Sequence, residues 1–529
     1  MKARGAGGHL DLMVFDSLFS SVAEEMGVAL MRSSFSPNIK ERRDFSCALF
    51  DRSRSMVALA AHIPVHLGST PLSVNAVLEN LDLEPGDVAI LNDPFAGGTH
   101  LPDVTMVAPV FLDGTTGRGR TPDFFTASRA HHADVGGSAP GSMAPASDIF
   151  QEGVRIPPLK IVKRGVLQED LLRLILNQVR TPKERRGDFK AQLAAGALGG
   201  RRLEALAERY GVGQLQAAAS GLRRHAAAVM RETIRAIPDG AYSFEDQIDD
   251  DGFGSGPLPI RVRIVVRRSR LTVDFSGTVS QTRGPLNANL AVTLSAVFYV
   301  LRTLAPGESP ANWGAMDPVT VIAPEGSLVN ALFPAAVAGG NVETSQRIVD
   351  VLLGALAKAL PDRIPAASAG TMCNLSLGGR SGRGESFAYY ETLAGGAGAA
   401  SGTRGASGVQ CHMTNTMNTP VEALEPNCPI RVESLALRRG SGGRGAWPGG
   451  DGIVRTLKLL AEAEVSLLAD RTRTGPYGLA GGRRGRCLSV RVKTKGRFKT
   501  MGGKFTALLD EGSVISIGTP GGGGFGIKD

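Results

Sequence analysis

The histidines of this 529-residue sequence are concentrated in one region, where five of the eight lie between residues 62 and 132. They are His62, His66, His100, His131 and His132. Neutral imidazoles and carboxylates are ligands that divalent Zn, Mn and Fe accept, and a mixed nitrogen and oxygen set leaves open positions for water or substrate. The region therefore indicates a divalent metal site.

Two glycine-flanked segments carry the strongest candidates, GGTHLPD (97–103) and ASRAHHADVGG (127–137). His100 and Asp103 are three residues apart on a turn containing a proline, and His131 comes from the second segment. A single loop histidine usually only satisfies backbone groups, so an isolated H-x-x-D is weak evidence for a ligand pair. Two such segments favour a shared ion, and the structural alternative remains open at this point.

Three further glycine-flanked stretches, 338–347, 389–399 and 406–425, carry polar residues where a packing element would carry aliphatic ones. This composition is typical of a polar pocket lining. The substrate-binding candidates in the first stretch are Asn341, Glu343, Thr344 and Gln346. The alternative is that Asn341 is a helix N-cap, with Thr344 one turn on.

The sequence lacks the common motifs for phosphate binding and for a serine nucleophile. No G-x-x-x-x-G-K-[ST] occurs, and GGKF at 502–505 lacks the first glycine and the Ser or Thr. No G-x-S-x-G occurs either, and Cys411 is only a sequence neighbour of His412.

The charge balance, 59 basic against 50 acidic side chains for a net +9, does not indicate a nucleic-acid-binding protein. The densest basic stretch, 483–504, alternates like the exposed side of an antiparallel strand. Aromatic residues make up only 5% of the chain, which leaves few stacking platforms for bases.

Several features predict a cytoplasmic protein that does not span a membrane. No run of 18 apolar residues occurs, and Asp11 and Asp16 interrupt the apolar run that a signal peptide would need. The five cysteines are widely spaced and form no C-x-x-C, so we expect reduced thiols.

The hydrophobic pattern predicts elements of both types. An amphipathic helix is expected from Leu10 to Ser33, followed by strands and loops up to about residue 160. Helical periodicity returns at 166–180 and 201–235, with RTPKERRGD as the separator, and again at 341–360. A hairpin is expected in RVRIVVRRSRLTVDFSG, and short alternating runs predict strands from 430 to 517.

We therefore predict an α+β fold of several domains with glycine-rich loops, since the chain has 68 glycines and 30 prolines. The predicted regions are an N-terminal metal-binding region (1–237), a central α+β region (238–429) and a β-rich C-terminal region (430–529). The glycine-rich tail, TPGGGGFGIKD, is interpreted either as flexible or as a close backbone approach.

Ten sequence blocks in one order resemble the hydantoinase B/oxoprolinase family, which includes the B subunits of ATP-dependent N-methylhydantoinases and 5-oxoprolinases and a related acetone carboxylase subunit. The most specific are MRSSFSPNIKERRDFSCALFD, HIPVHLGS, LNDPFAGGTHLPDV, SRAHHADVGGSAPGSM, AGGNVETSQRIVDVLLGALA and the PGGGGFG ending. The resemblance extends over nearly the whole chain.

The resemblance implies a hetero-oligomer in which two different subunits bind the ATP and the metal. A hydantoinase A-type ATPase subunit would bind ATP, and this chain would hold a divalent metal, Zn, Mn or Fe. It implies His100, Asp103 and His131 as metal ligands and Asp44 as a further candidate. In the mechanism that follows, a metal-bound water attacks a cyclic amide carbonyl activated by phosphorylation, and Asp134 or His132 orients a ligand or accepts a proton.

Two alternatives accompany this cyclic amide hydrolase hypothesis. The first is a subunit of an ATP-dependent carboxylase of the acetone carboxylase type. The second is a non-catalytic assembly subunit whose metal is structural.

Overall fold

The computed structural model describes residues 4–61, 63–112, 121–382 and 384–528. It confirms a mixed α+β fold in which helices pack against several separate sheets. The predicted ligand region is described apart from His62, which lies outside these residues. In the described part of the chain, no helix is both long and apolar enough to cross a bilayer.

The described residues form nine α-helices. They are α1 (Arg4–Ser33), α2 (Pro37–Lys40), α3 (Thr70–Asn80), α4 (Glu169–Leu176), α5 (Pro182–Tyr210), α6 (Val212–Arg235), α7 (Leu290–Leu304), α8 (Ser345–Leu356) and α9 (Val421–Asn427). The predicted first helix is confirmed, because Phe15, Phe19 and Met26 lie on its buried face. Helix α3 has no counterpart among the predicted elements.

The predicted separator RTPKERRGD is confirmed only in part, because helical structure is interrupted at 177–181 between α4 and α5, whereas residues 182–188 form the first turns of α5. Pro182 occupies the first helical position, where a missing N–H costs nothing. A second break, which was not predicted, lies at Gly211, whose φ of 82° is a left-handed conformation that glycine adopts readily.

The first sheet has seven antiparallel strands in the order β2-β1-β5-β4-β3-β6-β7. They are β1 (Phe45–Asp51), β2 (Met56–Ala61), β3 (Val88–Leu91), β4 (Asp103–Val110), β5 (Phe124–His131), β6 (Leu159–Lys163) and β7 (Val166–Leu167). The strands predicted before residue 160 are confirmed. Strands β1 and β5 are buried along their whole length because helices α1, α5 and α6 cover one face of the sheet and a second apolar core packs on the other.

The second sheet has four strands in the order β11-β10-β9-β8. They are β8 (Gly240–Ile248), β9 (Leu258–Arg267), β10 (Arg270–Asp274) and β11 (Val319–Ile322). The predicted hairpin is confirmed as β9 and β10. Ile260, Val262 and Ile264 alternate with exposed or half-buried residues along β9, and the buried side packs against α8.

Nine strands form two further sheets, in the orders β13-β12-β16-β19 and β14-β15-β20-β17-β18. They are β12 (Asn374–Arg380), β13 (Ser386–Thr392), β14 (Ile430–Leu437), β15 (Ile453–Leu459), β16 (Ala463–Leu468), β17 (Ser489–Thr494), β18 (Arg497–Met501), β19 (Lys504–Leu509) and β20 (Val514–Gly518). The strands predicted after residue 430 are confirmed, and a shared apolar core joins both sheets. The division of the chain at residues 238 and 430 stays a prediction.

The glycine-rich tail is a close backbone approach, which settles the two interpretations of this segment. Residues 520–526 pass between three other glycine-rich segments, which are residues 395–399, 442–450 and 478–485. The N–H groups of Gly522, Gly523 and Gly524 donate to the carbonyls of Gly450, Ala367 and Arg483 at 2.8–2.9 Å. A Cβ placed on Gly523 would lie 1.9 Å from the carbonyl oxygen of Tyr477. Side chains are therefore excluded from this packing, which we call the glycine layer.

Candidate metal centre

Asp103 and His131 face each other across a strand pair. Asp103 is the first residue of β4, His131 is the last residue of β5, and the two are partners in the antiparallel register. Partners in such a pair carry their side chains on the same face of the sheet. Asp103 Oδ1 therefore comes within 3.3 Å of His131 Nδ1.

His100 joins them from the tight turn that precedes β4. The Asp103 N–H donates to the His100 carbonyl at 3.1 Å, and the turn brings His100 Nδ1 to 3.1 Å from Asp103 Oδ2. One ligand atom from each of the three residues lies within 4.8 Å of the other two. All three side chains are buried, so the group, here called the metal centre, is shielded from bulk water.

The glycines of GGTHLPD make this turn possible. Gly97 has a φ of 87°, and a Cβ on Gly98 would lie 2.6 Å from the carbonyl oxygen of Asn92. The Asn289 amide, at the start of α7, donates to the carbonyls of Gly98 and Thr99 at 2.9 and 3.0 Å. The loop is thus held against the sheet at the point where His100 leaves it.

The electrostatics of the metal centre set the protonation states that a metal needs. Burial alone would raise the pKa of Asp103, but the imidazoles of His100 and His66 hold it well below its usual value. Burial lowers the pKa of both His131 and His66. Near pH 7 the carboxylate is therefore ionised while His131 and His66 are neutral, which are the forms that bind cations.

The donor set fits a divalent transition metal. It offers two imidazole nitrogens and one carboxylate, which suit Zn, Mn and Fe alike. His100 Nδ1 faces Asp103 Oδ2 without making a hydrogen bond, so this buried nitrogen is free to bind an ion. Three protein ligands leave positions for water or substrate.

Asp44 and His66 lie beside the metal centre. The Asp44 carbonyl accepts from the His131 N–H at 3.0 Å, and burial, opposed chiefly by the nearby His131, raises the pKa of the Asp44 carboxyl. Asp44 is not within the group whose ligand atoms meet. His66 Nε2 lies 3.4 Å from Asp103 Oδ2, and its Nδ1 is 3.0 Å from Ser46 Oγ. This contact was not predicted, although His66 belongs to the HIPVHLGS block that resembles the family.

Asn341 reaches the metal centre from a distant part of the chain. It lies in a single π-helical turn, Gly340–Thr344, directly before α8, and its Nδ2 is 3.5 Å from His100 Nε2. Such turns recur at functional sites. The N-cap of this turn is Gly339 and the Asn341 Oδ1 has no hydrogen-bond partner among the described residues, so the N-cap alternative is wrong. The role of Asn341 in substrate binding stays a prediction.

The other three substrate-binding candidates point away from the metal centre. Thr344 Oγ1 donates to the Leu286 carbonyl, and Gln346 Nε2 donates to the Cys411 carbonyl at 3.0 Å. Glu343 Oε1 accepts from Asn374 Nδ2 at 2.9 Å. The structure therefore brings only Asn341 of these four into contact with the predicted ligands.

The comparisons with known proteins decide the family. The sequence model of the hydantoinase B/oxoprolinase family matches residues 9–528. The chain belongs to this family. It is 40% identical over 526 residues to a 5-oxoprolinase of Dictyostelium discoideum, covering 98% of this chain and 40% of the relative. It is 32% identical over 549 residues to a putative D-/L-hydantoinase B subunit of Pseudomonas sp. strain NS671, covering 98% and 91%.

Solved structures show the same architecture as this hydantoinase B/oxoprolinase chain. The ATP-dependent caprolactamase of Pseudomonas jessenii is 28% identical with a TM-score of 0.90, covering 98% of this chain and 91% of the other. A nucleotide-free acetone carboxylase is 17% identical with a TM-score of 0.89, covering 96% and 74%, and this match shows the fold alone. The chain spans about 40% of the length of the 5-oxoprolinase, so that protein has a large part with no counterpart here.

In this member of the hydantoinase B/oxoprolinase family, His132 and Asp134 lie away from the metal centre. His132 follows His131 on an extended backbone and so turns to the opposite face, where its Nε2 lies 2.9 Å from Gln192 Oε1 and its ring stacks on Phe189. Asp134 Oδ1 accepts from Arg180 Nη1 at 2.9 Å. The structure does not bring the two predicted proton-transfer residues to the ligands.

Glu152 fixes the backbone just before the π-helical turn of Asn341. Its buried carboxyl accepts from the N–H groups of Val337 and Ala338 at 3.1 and 2.9 Å. Burial, opposed by these two hydrogen bonds, raises the pKa of Glu152 from 4.5 to about 8. The folded state therefore favours the protonated carboxyl.

This shift predicts that Glu152 makes the protein less stable as the pH rises. A raised folded-state pKa contributes stability that is fully present below about pH 4.5 and is lost as the pH rises through about 8. The glutamine of the Glu152→Gln variant stays neutral at every pH. The free energy of unfolding of the variant should therefore fall less steeply with pH than that of the unsubstituted protein, and the two slopes should differ by up to about 1.4 kcal/mol per pH unit. Urea denaturation at pH 6 and 7 measures both slopes. Parallel slopes would contradict the assignment.

Proposed function

We propose that this chain is the metal-binding catalytic subunit of an ATP-dependent hydrolase of small cyclic amides, of the hydantoin or 5-oxoproline lactam type. The observation that carries the proposal is the convergence of His100, Asp103 and His131 into one buried set of metal ligands. The relatives add support, because two are named as a 5-oxoprolinase and a hydantoinase subunit and a structural neighbour as a caprolactamase.

The residues of the metal centre would hold the cation. His100, Asp103 and His131 supply the ligand atoms, while Thr99 Oγ1 donates to Asp103 Oδ2 at 2.7 Å and fixes the carboxylate. A divalent cation supplies Lewis-acid chemistry, polarising a carbonyl and lowering the pKa of water. Asn341 lies beside His100, where its amide restrains the imidazole.

The ATP chemistry is assigned to a partner. A lactam resists water because ring opening breaks amide resonance, so the barrier falls when the carbonyl is activated before water attacks. Transfer of the γ-phosphoryl group from ATP to the carbonyl oxygen would provide this activation. This chain carries no phosphate-binding loop motif, and we propose a hydantoinase A-type ATPase subunit as the donor, in a cytoplasmic hetero-oligomer.

Burial is the second contribution of this chain to the proposed reaction. The metal centre is shielded by β4, β5 and the π-helical turn, and none of its three ligands is more than 2% exposed. Exclusion of bulk water strengthens electrostatic interactions and protects reactive phosphorylated species from unproductive hydrolysis. Substrate entry therefore requires a movement of one of these elements.

The test uses the chain purified together with its ATPase partner. We expect ring opening of hydantoin or 5-oxoproline coupled to ATP consumption, lost on dialysis against a chelator and restored by Zn, Mn or Fe. ATP-dependent incorporation of bicarbonate without ring opening would establish the carboxylase alternative. Full ring-opening activity in metal-free complex would show that the metal is structural.

A further inference from the structure

The His131 imidazole is in polar contact at only one of its two ring nitrogens among the described residues. A metal-binding histidine usually donates its second ring nitrogen to a carboxylate, a carbonyl or a water. The Nδ1 of His131 faces Asp103, and among the described residues its Nε2 has no hydrogen-bond partner. A single contact at Nδ1 restrains the ring without fully fixing its plane, so a further contact can help to set it.

The aromatic ring of Tyr390, on β13, supplies that contact. Its centroid lies 4.6 Å from that of the His131 ring, and the two planes differ by only 14°. The guanidinium of Arg42 lies 4.9 Å from the Tyr390 centroid and donates to the Tyr390 carbonyl at 2.8 Å. Tyr390 is 3% exposed, so its ring cannot swing away without opening the core.

The phenol group of Tyr390 is held at its other end. Tyr390 Oη donates to Asn374 Oδ1 at 2.7 Å, and Asn374 Nδ2 donates to Glu343 Oε1 at 2.9 Å. The same oxygen of Glu343 accepts from the Met372 N–H at 3.1 Å. The three side chains form one continuous buried chain of hydrogen bonds that ends on the ring stacked against His131.

We propose that Tyr390 is a positioning residue for the metal centre, and that Asn374 and Glu343 hold its ring so that it sets the plane of the His131 imidazole. The stack adds to the Asp103 contact at His131 Nδ1 by restraining the plane of the ring, whichever nitrogen binds the ion. In this proposal Glu343, which was predicted to bind substrate, instead acts on the ligand His131 through Asn374 and Tyr390. It rests on the proposed function only in requiring a metal at His100, Asp103 and His131.

The test compares neighbouring tyrosines on one strand. Tyr389 is buried like Tyr390, but it faces the opposite side of β13 and its Oη donates to Glu391 at 3.0 Å. Tyr390→Leu and Tyr389→Leu each remove one buried ring, and only the first removes the stack. Tyr390→Phe keeps the ring and removes the hydrogen bond to Asn374.

The full chain is loaded with Zn, and metal affinity is measured by competition with a chelator of known strength. The visible spectrum of the Co-loaded protein reports the ligand geometry. We expect Tyr390→Leu to bind metal about 10- to 100-fold more weakly with an altered spectrum, and Tyr390→Phe several-fold more weakly. Tyr389→Leu should match the unsubstituted chain in both readouts. Thermal unfolding of the metal-free proteins reports the cost of the lost ring separately.

Equal metal affinity in the two leucine variants would overturn the proposal, as would an unchanged affinity and spectrum in Tyr390→Phe. The conservative variant keeps the test decisive if Tyr390→Leu fails to fold. If the unsubstituted chain binds metal but its complex with the ATPase partner opens no ring, the proposed function is refuted and this inference stands. A chain that binds no metal would refute both.

Discussion

Replacement of Asp103 by asparagine is expected to release the metal and to abolish ATP-dependent ring opening. Asp103 is the only carboxylate of the metal centre among the described residues, and it contacts both imidazoles at 3.1 and 3.3 Å. Asparagine has the same shape and no charge, so the cation loses its only anionic ligand. Loss of an outer contact typically costs about 10- to 100-fold in metal affinity, and loss of a ligand should exceed about 100-fold.

Elemental analysis and the ring-opening rate of the complex measure this effect, and Asp134→Asn is the matched control. Asp134 is as deeply buried as Asp103 and follows the same strand pair, but its carboxylate accepts from Arg180 instead of facing the ligands. The control variant should keep its metal. Full metal occupancy in Asp103→Asn, or equal metal loss in both variants, would contradict the ligand assignment.

Replacement of Arg347 by methionine is expected to lower the free energy of unfolding by about 3–5 kcal/mol. Arg347 is fully buried on α8, where it contacts Asp350 at 2.9 Å, Asp470 at 2.8 Å and Asp246 at 3.2 Å. Arg471 shares Asp246 and Asp350, each at 2.7 Å. Removing one guanidinium leaves buried carboxylates short of positive charge, which costs more than the pair itself contributes.

The control for Arg347→Met is Arg261→Met on β9. Arg261 pairs with Glu245, but both side chains are about half exposed, at 55% and 50%. Exposed pairs contribute roughly 0–1 kcal/mol, so this variant should unfold at nearly the same urea concentration as the unsubstituted chain. Equal midpoints for the two variants would show that the buried network does not stabilise the fold.

The metal centre could be predicted from sequence because its parts are local. His100 and Asp103 belong to one turn, and His131 stands opposite Asp103 on the neighbouring strand. The residue types and glycine spacing of two segments made all three candidates, and the resemblance to the family implied them as the ligands. The strands predicted before residue 160 were identified for the same reason, since alternation and turn residues act over a few positions.

The remaining contacts could not be predicted because they depend on packing between distant elements. Asn341 and His100 are 241 residues apart, and Tyr390 reaches His131 from a different sheet. Spacing along the chain carries no information on such pairs. The π-helical turn is similarly invisible, because the periodicity of 341–360 is that of an ordinary helix and only tertiary packing aims Asn341 at the ligands.

The glycine layer has a consequence for how the protein is made. Residues 442–450 donate to and accept from Gly522 and Phe525, which are synthesised later. From residue 450 to residue 526 the ribosome adds 526 − 450 = 76 residues, which takes roughly 4–15 s at about 5–20 residues per second. During that interval the earlier glycine segments lack their backbone partners and have few side chains to bury. The glycine layer therefore forms only after residues 520–526 have been synthesised, and chains truncated before residue 520 would lack it.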